Sequence, residues 1–538
     1  MSTPEGRSNR RPNLVLILAD DLGFSDLGCY GAQIKTPHLD SMARAGVRFT
    51  QMYNCARCCP SRASLLTGLY PHQAGIGYMV RDLGTPAYQG YLRDDCVTIA
   101  EALKGAGYQS LICGKWHVGG RFDRSDPNDW HLDDPKRPVP PDRGFDEWYG
   151  TPAGAGSYYN PRPLFRNRRL IEPTSDSYYY TDAISENAIR MIEGAAAQEK
   201  PFFLHVSYTA PHWPLHAPEE DITRYLGHYR AGWDAIRTAR HEELKALGIL
   251  NPRWPISARD ENAPPWRSVP HKEWEDARMA VYAAQVSRMD RGIGLITEKL
   301  GELGIAQDTL VVFMSDNGGC AELLGEDGYK APELPTTLDG RPVRFGNRPD
   351  ITPGSATTYQ SYDLPWANAS NTPFRLYKHW VHEGGISTPM IASWPGHTPA
   401  AAINHSVLHV VDIMATFLDL AGASYPTEYN GHAIQPVEGE SFAPILEARD
   451  WQRERPIFWE HQGNRAVRDG RWKLVSKYPG DWELYDMVED RTESNDLSDS
   501  NKPQTGKMVA MYDQWAERCG VIPRERILAR RQRAAHGI

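Results

Sequence analysis

Two pairs of adjacent residues, Asp20-Asp21 and Asp316-Asn317, carry the oxygen atoms that hard divalent cations require. Each pair follows a short, unbroken apolar run, Asn13–Ala19 in the first case and Thr309–Met314 in the second. Asp and Asn also favour turns and helix caps, and either pair alone reads more readily as one of those. Two such pairs at the ends of two buried strands favour a metal, because the backbone at a strand end can turn both side chains toward one ion. Cationic residues stand in comparable places. Lys115 follows the run Ser110–Cys113, Arg62 and Lys378 flank apolar segments, and His117 and His212 lie just past apolar runs. Taken singly, each cation reads as a snorkelling surface residue and each histidine as a structural one. Together they describe a pocket that is metal-bound on one side and positive on the other. Such a pocket suits a tetrahedral oxyanion, sulfate or phosphate.

These groups are far apart in the chain, so the scaffold must bring strand ends together. The runs Asn13–Ala19, Ser110–Cys113, Pro201–Val206 and Thr309–Met314 have the continuous apolar character of strands buried on both faces. Helical segments alternate with them at 39–45, 98–106 and 235–247. A longer helix is marked by Met279, Tyr282, Val286, Met289, Ile293, Ile296 and Leu300, spaced three and four apart in a core-packing stripe. This alternation predicts an α/β fold with helices on both faces of a central sheet. Ligands of such sheets bind beyond the carboxyl ends of the strands, where the polar residues above stand. From about residue 450 the pattern changes to short runs, at 456–459, 465–468, 472–475 and 482–485. These predict an antiparallel meander, followed by a helix over 507–518. The domain plan is a disordered lead-in at 1–10, a catalytic domain at 11–450 and a C-terminal subdomain at 451–538. The basic stretch Arg524–Arg533 reads as a solvated helix or tail. The irregular stretches 207–270 and 321–372 read as lids or binding loops. Their Trp213, Tyr359, Tyr362 and Trp366 are candidates either to line the pocket or to pack.

Composition narrows the partners. In 538 residues, 59 Lys and Arg face 68 Asp and Glu, a net charge of −9. That excludes a nucleic-acid coat protein, which needs a basic surplus. The 41% hydrophobic and 24% charged content is that of a globular chain rather than a disordered one. No apolar stretch approaches the roughly 18 residues of a membrane span, so no membrane partner is expected. Leu14–Ala19 is too short for a signal-peptide core and no small-residue cleavage site follows it, which predicts a cytoplasmic protein starting near residue 1. Eight cysteines are too few for a disulfide framework, yet Cys55, Cys58 and Cys59 crowd together. Familiar motifs do not explain them. Cys55-x-x-Cys58 has no second ligand pair for zinc, and Gly439–Ala443 fails as a nucleophile elbow at its last position. His241-Glu242 lacks the second histidine of a zincin, since residue 245 is Lys, and Gly114-Lys115 lacks the glycines of a P-loop.

The run Cys58-Cys59-Pro60-Ser61-Arg62, continued by Leu65-Leu66-Thr67-Gly68, resembles the active-site element of the sulfatases of the alkaline phosphatase superfamily. Arg57 departs from it, standing where the family usually has a small or aliphatic residue. The resemblance covers most of the chain. Arg11–Gly23 is similar to the family's opening strand and first metal pair, and Gly114–His117 to its Gly-Lys-Trp-His element. Ala210–Pro214 resembles the active-site histidine segment, and Ser315–Gly318 the second metal pair. Lys378, five residues before Glu383–Ile386, resembles the later lysine, and Trp482–Asp486 with Glu489-Asp490 the C-terminal subdomain. The bacterial cytoplasmic arylsulfatases of the formylglycine type are the nearest branch by spacing.

The resemblance implies an alkaline-phosphatase-like fold: a large mixed central sheet flanked by helices on both faces, with a small antiparallel-sheet-plus-helix subdomain. It implies hydrolysis of sulfate monoesters to an alcohol or phenol and inorganic sulfate. Cys58 would be oxidised to Cα-formylglycine by a formylglycine-generating enzyme, a transient partner, whereas Cys59 would stay unconverted. One hydroxyl of the aldehyde hydrate then attacks sulfur, and the other expels sulfate. Asp20, Asp21, Asp316 and Asn317, with the modified Cys58, would bind one divalent cation, Ca²⁺ before others. By the same resemblance Arg62 holds the modified residue and neutralises the carboxylates, and Lys115 and Lys378 bind sulfate oxygens. His212 protonates the leaving oxygen with Lys378, and His117 takes the proton from the second hydroxyl. Rival readings are a phosphonate monoester or phosphodiester hydrolase of the same superfamily and a non-catalytic sulfate-ester binding protein. The first tends to carry Asp-His where this chain has Asp316-Asn317, and the second has no need of the full constellation.

Overall fold

The computed structural model describes residues 11–154, 156–173, 177–325 and 334–536. The lead-in expected at 1–10 lies outside them. The chain opens with β1 (Asn13–Asp20) and β2 (Val47–Tyr53). Next come β3 (Gln109–Lys115), β4 (Glu147–Thr151), β5 (Leu164–Arg166) and β6 (Arg169–Ile171). Then follow β7 (Phe202–Pro211), β8 (Thr309–Ser315), β9 (Ser387–Ser393) and β10 (Ala402–His409). These strands form one ten-stranded sheet in the order β10-β2-β9-β8-β1-β7-β3-β4-β5-β6. β1 lies between β7 and β8, parallel to both, and β3 runs parallel to β7. β9 is antiparallel to its neighbours β8 and β2, so the sheet is mixed as expected.

The apolar run of β1 serves two cores. Val15, Ile17 and Ala19 pack into one cluster with the helices Tyr180–Ala196 and Lys272–Glu302. Leu14, Leu16 and Leu18 pack into another with the helices Cys58–Thr67 and Asp412–Ala421. Alternate side chains of a strand point to opposite faces, so a strand covered on both sides must be apolar at every position. Because β1, β3, β7 and β8 are parallel, their carboxyl ends share one rim, and the residues just beyond them meet there.

Several expectations are corrected. The stretch 207–270 is not one loop. Ser207–Pro211 completes β7, and the helices Glu219–Thr223 and Gly232–Ala246 follow. Tyr362 stacks on Tyr282 at 4.4 Å, and Trp366 packs edge-on against Trp233 at 5.4 Å, so both belong to the core rather than to a pocket wall. The basic C-terminal segment is a helix, Arg524–His536, which docks by burying Ile527 with Tyr78, Leu83 and Tyr88. Strand β9 carries Pro389, which ordinarily argues against a sheet interior. Its register against β2 shifts between Thr388 and Met390, so the proline sits in an irregularity of the pairing. Among the described residues no helix is long and apolar enough to cross a membrane.

The meander is present as β11 (Ile457–His461), β12 (Asn464–Asp469), β13 (Trp472–Ser476) and β14 (Glu483–Asp486), each antiparallel to the next. The helix Lys502–Cys519 packs on it. A buried ionic cluster joins this sheet to the large one. Glu383 accepts hydrogen bonds from Tyr53 Oη at 2.9 Å, Ser387 Oγ at 3.0 Å, Lys473 Nζ at 2.8 Å and Arg491 Nε at 2.9 Å. Lys473 also pairs with Glu493 at 2.7 Å. Burial pushes the Glu383 carboxyl up, but Lys473 and Arg491 outweigh it and hold the carboxyl down to about 2.

Removing one partner of such a buried cluster leaves uncompensated charge, so Glu383→Ala is expected to cost about 3–5 kcal/mol in urea unfolding. The folded pKa lies below the ordinary 4.5, so this stabilisation is complete above about pH 4.5 and is lost as pH falls toward 2. Unfolding midpoints measured from pH 5 to 2 should fall less steeply for Glu383→Gln than for the wild type. Parallel slopes would show that Glu383 does not set the acid limb.

Candidate active site

The rim begins at Asp20, the last residue of β1. Asp21 follows in the left-handed region, φ 68°, which turns the chain sharply. Asp316 and Asn317 follow β8. The Asp21 amide donates to Asp316 Oδ1 at 3.3 Å, and Asn317 Nδ2 donates to Asp21 Oδ1 at 2.7 Å, which ties the two pairs together. Lys115 ends β3 behind Gly114, where φ is 107° and a Cβ would stand 1.9 Å from the Ser207 carbonyl. Only glycine fits there. The approach sets Lys115 Nζ 2.6 Å from Asp20 Oδ2.

Arg62 projects from the helix Cys58–Thr67 and grips Asp316 Oδ2 with Nε at 2.9 Å and Nη2 at 2.7 Å. Its Nη1 donates to the Lys115 carbonyl at 3.2 Å and to Ser207 Oγ. One buried guanidinium thus fastens the helix to the ends of β3 and β8 and to the middle of β7. Lys378 Nζ lies 2.8 Å from Asp21 Oδ1 and 3.1 Å from His212 Nε2. Three carboxylates, Asp20, Asp21 and Asp316, therefore face three cations, Arg62, Lys115 and Lys378, all buried.

Two acceptors are left over. Asp20 Oδ1 and Asn317 Oδ1 are buried with no hydrogen-bond partner. An unmet buried acceptor is costly. Burial, and then the neighbouring Asp20, push the Asp316 carboxyl well above the usual range. Spare oxygens and crowded carboxylates are both relieved by a positive ion. The oxygen-only donors of Asp20, Asp21, Asp316 and Asn317 fit a hard divalent cation.

A cavity of about 250 Å³ opens above this cluster, with Cys58, His117, His212 and Lys378 in its walls. Cys58 stands at the first turn of its helix. A hydrogen bond with Cys59 holds its thiol well below the ordinary range, and Lys115, His117 and Lys378 add to this against burial. Cys59 differs. It is fully buried, burial pushes its thiol well up, and its Sγ lies 3.3 Å from His117 Nε2. His117 is held down to about 4 by burial and by Lys115, so it is neutral. His212 Nδ1 lies 2.6 Å from the Trp213 carbonyl, which can only accept, so Nδ1 carries the proton. Nε2 then accepts from Lys378. Burial and Lys378 keep this imidazole neutral.

All ten expected residues, Asp20, Asp21, Cys58, Arg62, Lys115, His117, His212, Asp316, Asn317 and Lys378, are buried around this one cluster. The lysines and Arg62 are not snorkelling surface charges. Of the four aromatic candidates Trp213 lines the cavity, and Tyr359 packs 6.1 Å from it. Sequence reasoning missed Ser207, which bridges the Lys115 carbonyl and Arg62, and Glu322, which pairs with Arg57 at 3.0 Å. A lone serine on a buried strand and a lone acid in a Gly-rich stretch carry no motif signal.

A strand-end rim that pairs carboxylates with cations and leaves two oxygens spare suits the hydrolysis of a tetrahedral oxyanion ester. The chain belongs to the sulfatase family, whose model, described as Sulfatase, matches residues 12–423, and it is a sulfuric ester hydrolase. A second model, N-sulphoglucosamine sulphohydrolase, C-terminal, matches residues 374–515. The chain is 33% identical to the arylsulfatase of Klebsiella aerogenes over 82% of this chain and 93% of that one. It is 29% identical to an uncharacterized sulfatase of Schizosaccharomyces pombe over 96% of this chain and 95% of that one. Its fold is similar to Ps i-CgsB, crystallised in complex with k-i-k-neocarrahexaose, with TM-score 0.66 and 28% identity over 94% of this chain and 93% of that one.

A lysine at position 62 keeps the charge but loses the planar fork. Arg62→Lys is therefore expected to lower stability by about 1–3 kcal/mol, because one ammonium cannot remake the bonds to Asp316, the Lys115 carbonyl and Ser207 together. Chemical denaturation of the purified variant measures it. A midpoint equal to wild type would show that the fork is dispensable.

Proposed function

We propose that the chain is an arylsulfatase whose nucleophile is Cα-formylglycine made from Cys58 and whose metal is one divalent cation, calcium by preference. The observation that carries this reading is the pair of partnerless buried oxygens, Asp20 Oδ1 and Asn317 Oδ1, in the cluster beneath Cys58. When bound, the cation supplies Lewis-acid polarisation of a sulfate oxygen. The hydrated aldehyde supplies two hydroxyls on one carbon, so that sulfate can be accepted and then released. Asp20, Asp21, Asp316 and Asn317, with residue 58, would hold the cation.

The remaining roles belong to side chains in place. Lys115 and Lys378 bind sulfate oxygens, and each is oriented by its carboxylate, Asp20 and Asp21 respectively. Arg62 aims Asp316 and offsets its charge. His117, neutral and beside the two cysteines, is the base that takes a proton from residue 58. Lys378 Nζ is the proton reservoir for His212 Nε2, and that pair protonates the leaving oxygen. The cavity's apolar residues Met79, Val80, Phe122 and Trp213 suit an aromatic leaving group. The partners are a small sulfate ester and, during maturation, a formylglycine-generating enzyme. No two of the described cysteines are joined in a disulfide, which accords with a cytoplasmic setting.

The test is the mass of the Cys58 peptide from protein made with a formylglycine-generating enzyme. The expected mass is that of the aldehyde or its hydrate in place of the thiol. An intact thiol, under conditions that convert a control sulfatase, overturns the mechanism. A second measurement addresses proton donation. His212→Ala should depress alkyl sulfate hydrolysis at least tenfold more than 4-nitrophenyl sulfate hydrolysis, because nitrophenolate leaves without a proton. Equal losses on both would remove His212 from that role.

A further inference from the structure

We propose that Arg57 reads a second anionic group on the substrate, so that the preferred sulfate ester carries a further sulfate or a carboxylate on its alcohol portion. This rests on the sulfatase reading and names the substrate class of the same site. Arg57 lines the cavity directly before Cys58, and Trp213 lines it directly after His212. Glu322 joins the two: its Oε1 pairs with Arg57 at 3.0 Å and its Oε2 accepts from Trp213 Nε1 at 2.9 Å. Whatever Arg57 holds is therefore held within one residue of the reacting position and beside the leaving-group aromatic wall.

Charge points to an anion. In the floor of the cavity three carboxylates face three cations. Among the described residues of the outer walls, Arg57 and Arg121 stand with one carboxylate, Glu322. Arg121 is exposed at the mouth, where it draws anions in. Arg57 also has unused capacity. Its Nη2 is engaged by Glu322, but its Nε is buried with no hydrogen-bond partner. A guanidinium presents several donors in one plane and suits a carboxylate or sulfate held by two parallel hydrogen bonds. A small or aliphatic residue at this position would offer no such donors.

The alternative is that the Arg57–Glu322 pair only clamps two loops. Substrate ratios separate the two. The enzyme with converted Cys58 is assayed on 3-carboxyphenyl sulfate, on benzene-1,3-disulfate and on the uncharged 3-(methoxycarbonyl)phenyl sulfate. Arg57→Ala is expected to lower the ratio of kcat/KM for either dianionic ester to that for the methyl ester at least tenfold. Glu322→Gln, which releases Arg57 from its ion pair, is expected to raise the same ratio. The carboxylate and disulfate arms show which anion is read. If Arg57→Ala does not fold, Arg57→Lys serves, since it keeps the charge, lacks the guanidinium fork and is expected to lower the ratio too. A ratio unmoved by the arginine substitution, in a variant that melts like wild type, overturns the proposal. Turnover of none of the three esters by the wild type would instead strike the sulfatase mechanism, which the methyl ester tests independently of Arg57.

Discussion

The active site depends on one constraint: three carboxylates are buried at the end of a sheet, and three cations must be buried with them. Any one of these charges left alone in such a place would be expelled or neutralised. Arg62 meets the hardest part of that demand. It holds Asp316 by two nitrogens and also bonds the Lys115 carbonyl, so a charge contact becomes a contact between a helix and two strands. The helix that carries Arg62 also carries Cys58 at its start. Neutralising Asp316 and placing residue 58 are thus one structural act, and the order Cys58–Arg62 within a single turn of helix is its sequence trace.

That coupling explains how much of the site was legible before any coordinates. A short rigid helix compresses the nucleophile position and its counter-charge into five adjacent residues, and a motif survives. Strand ends behave similarly. Because β1, β3, β7 and β8 are parallel, a polar residue just past each apolar run has only one rim to occupy, so Asp20, Lys115, His212 and Asp316 could be read as neighbours. What escaped reading was long-range or broken in pattern. Glu383 is satisfied by Lys473 and Arg491, about a hundred residues away, and no local periodicity marks such a pairing. Strand β9 was hidden by Pro389, whose effect is absorbed by a register shift that only the neighbouring strand reveals. Tyr362 and Trp366 sit in a stretch without periodicity, yet tertiary packing with Tyr282 and Trp233 draws them into the core.

The adjacent cysteines show how little sequence distance is needed to separate two environments. Cys58 and Cys59 are neighbours on one helical turn, so their side chains diverge by about 100°. Cys58 lines the cavity among cations, whereas Cys59 is sealed behind it against His117. Their thiols shift in opposite directions, Cys58 down through its hydrogen bond with Cys59 and the cations around it, and Cys59 up through burial and that same bond.

The same geometry separates chemistry from selectivity. Every charge in the floor is committed to another floor residue, so the floor can answer only to the sulfate group that all substrates share. Discrimination must come from side chains outside that closed set. Arg57 and Trp213 are the first residues beyond it along the chain, one before Cys58 and one after His212. They are drawn to each other by Glu322 from a loop that follows β8. This places selectivity on backbone already held rigid by the site, while the acid that tunes it comes from a segment free of catalytic duty. A change at Glu322 can therefore alter how Arg57 presents its donors without disturbing any pair in the floor.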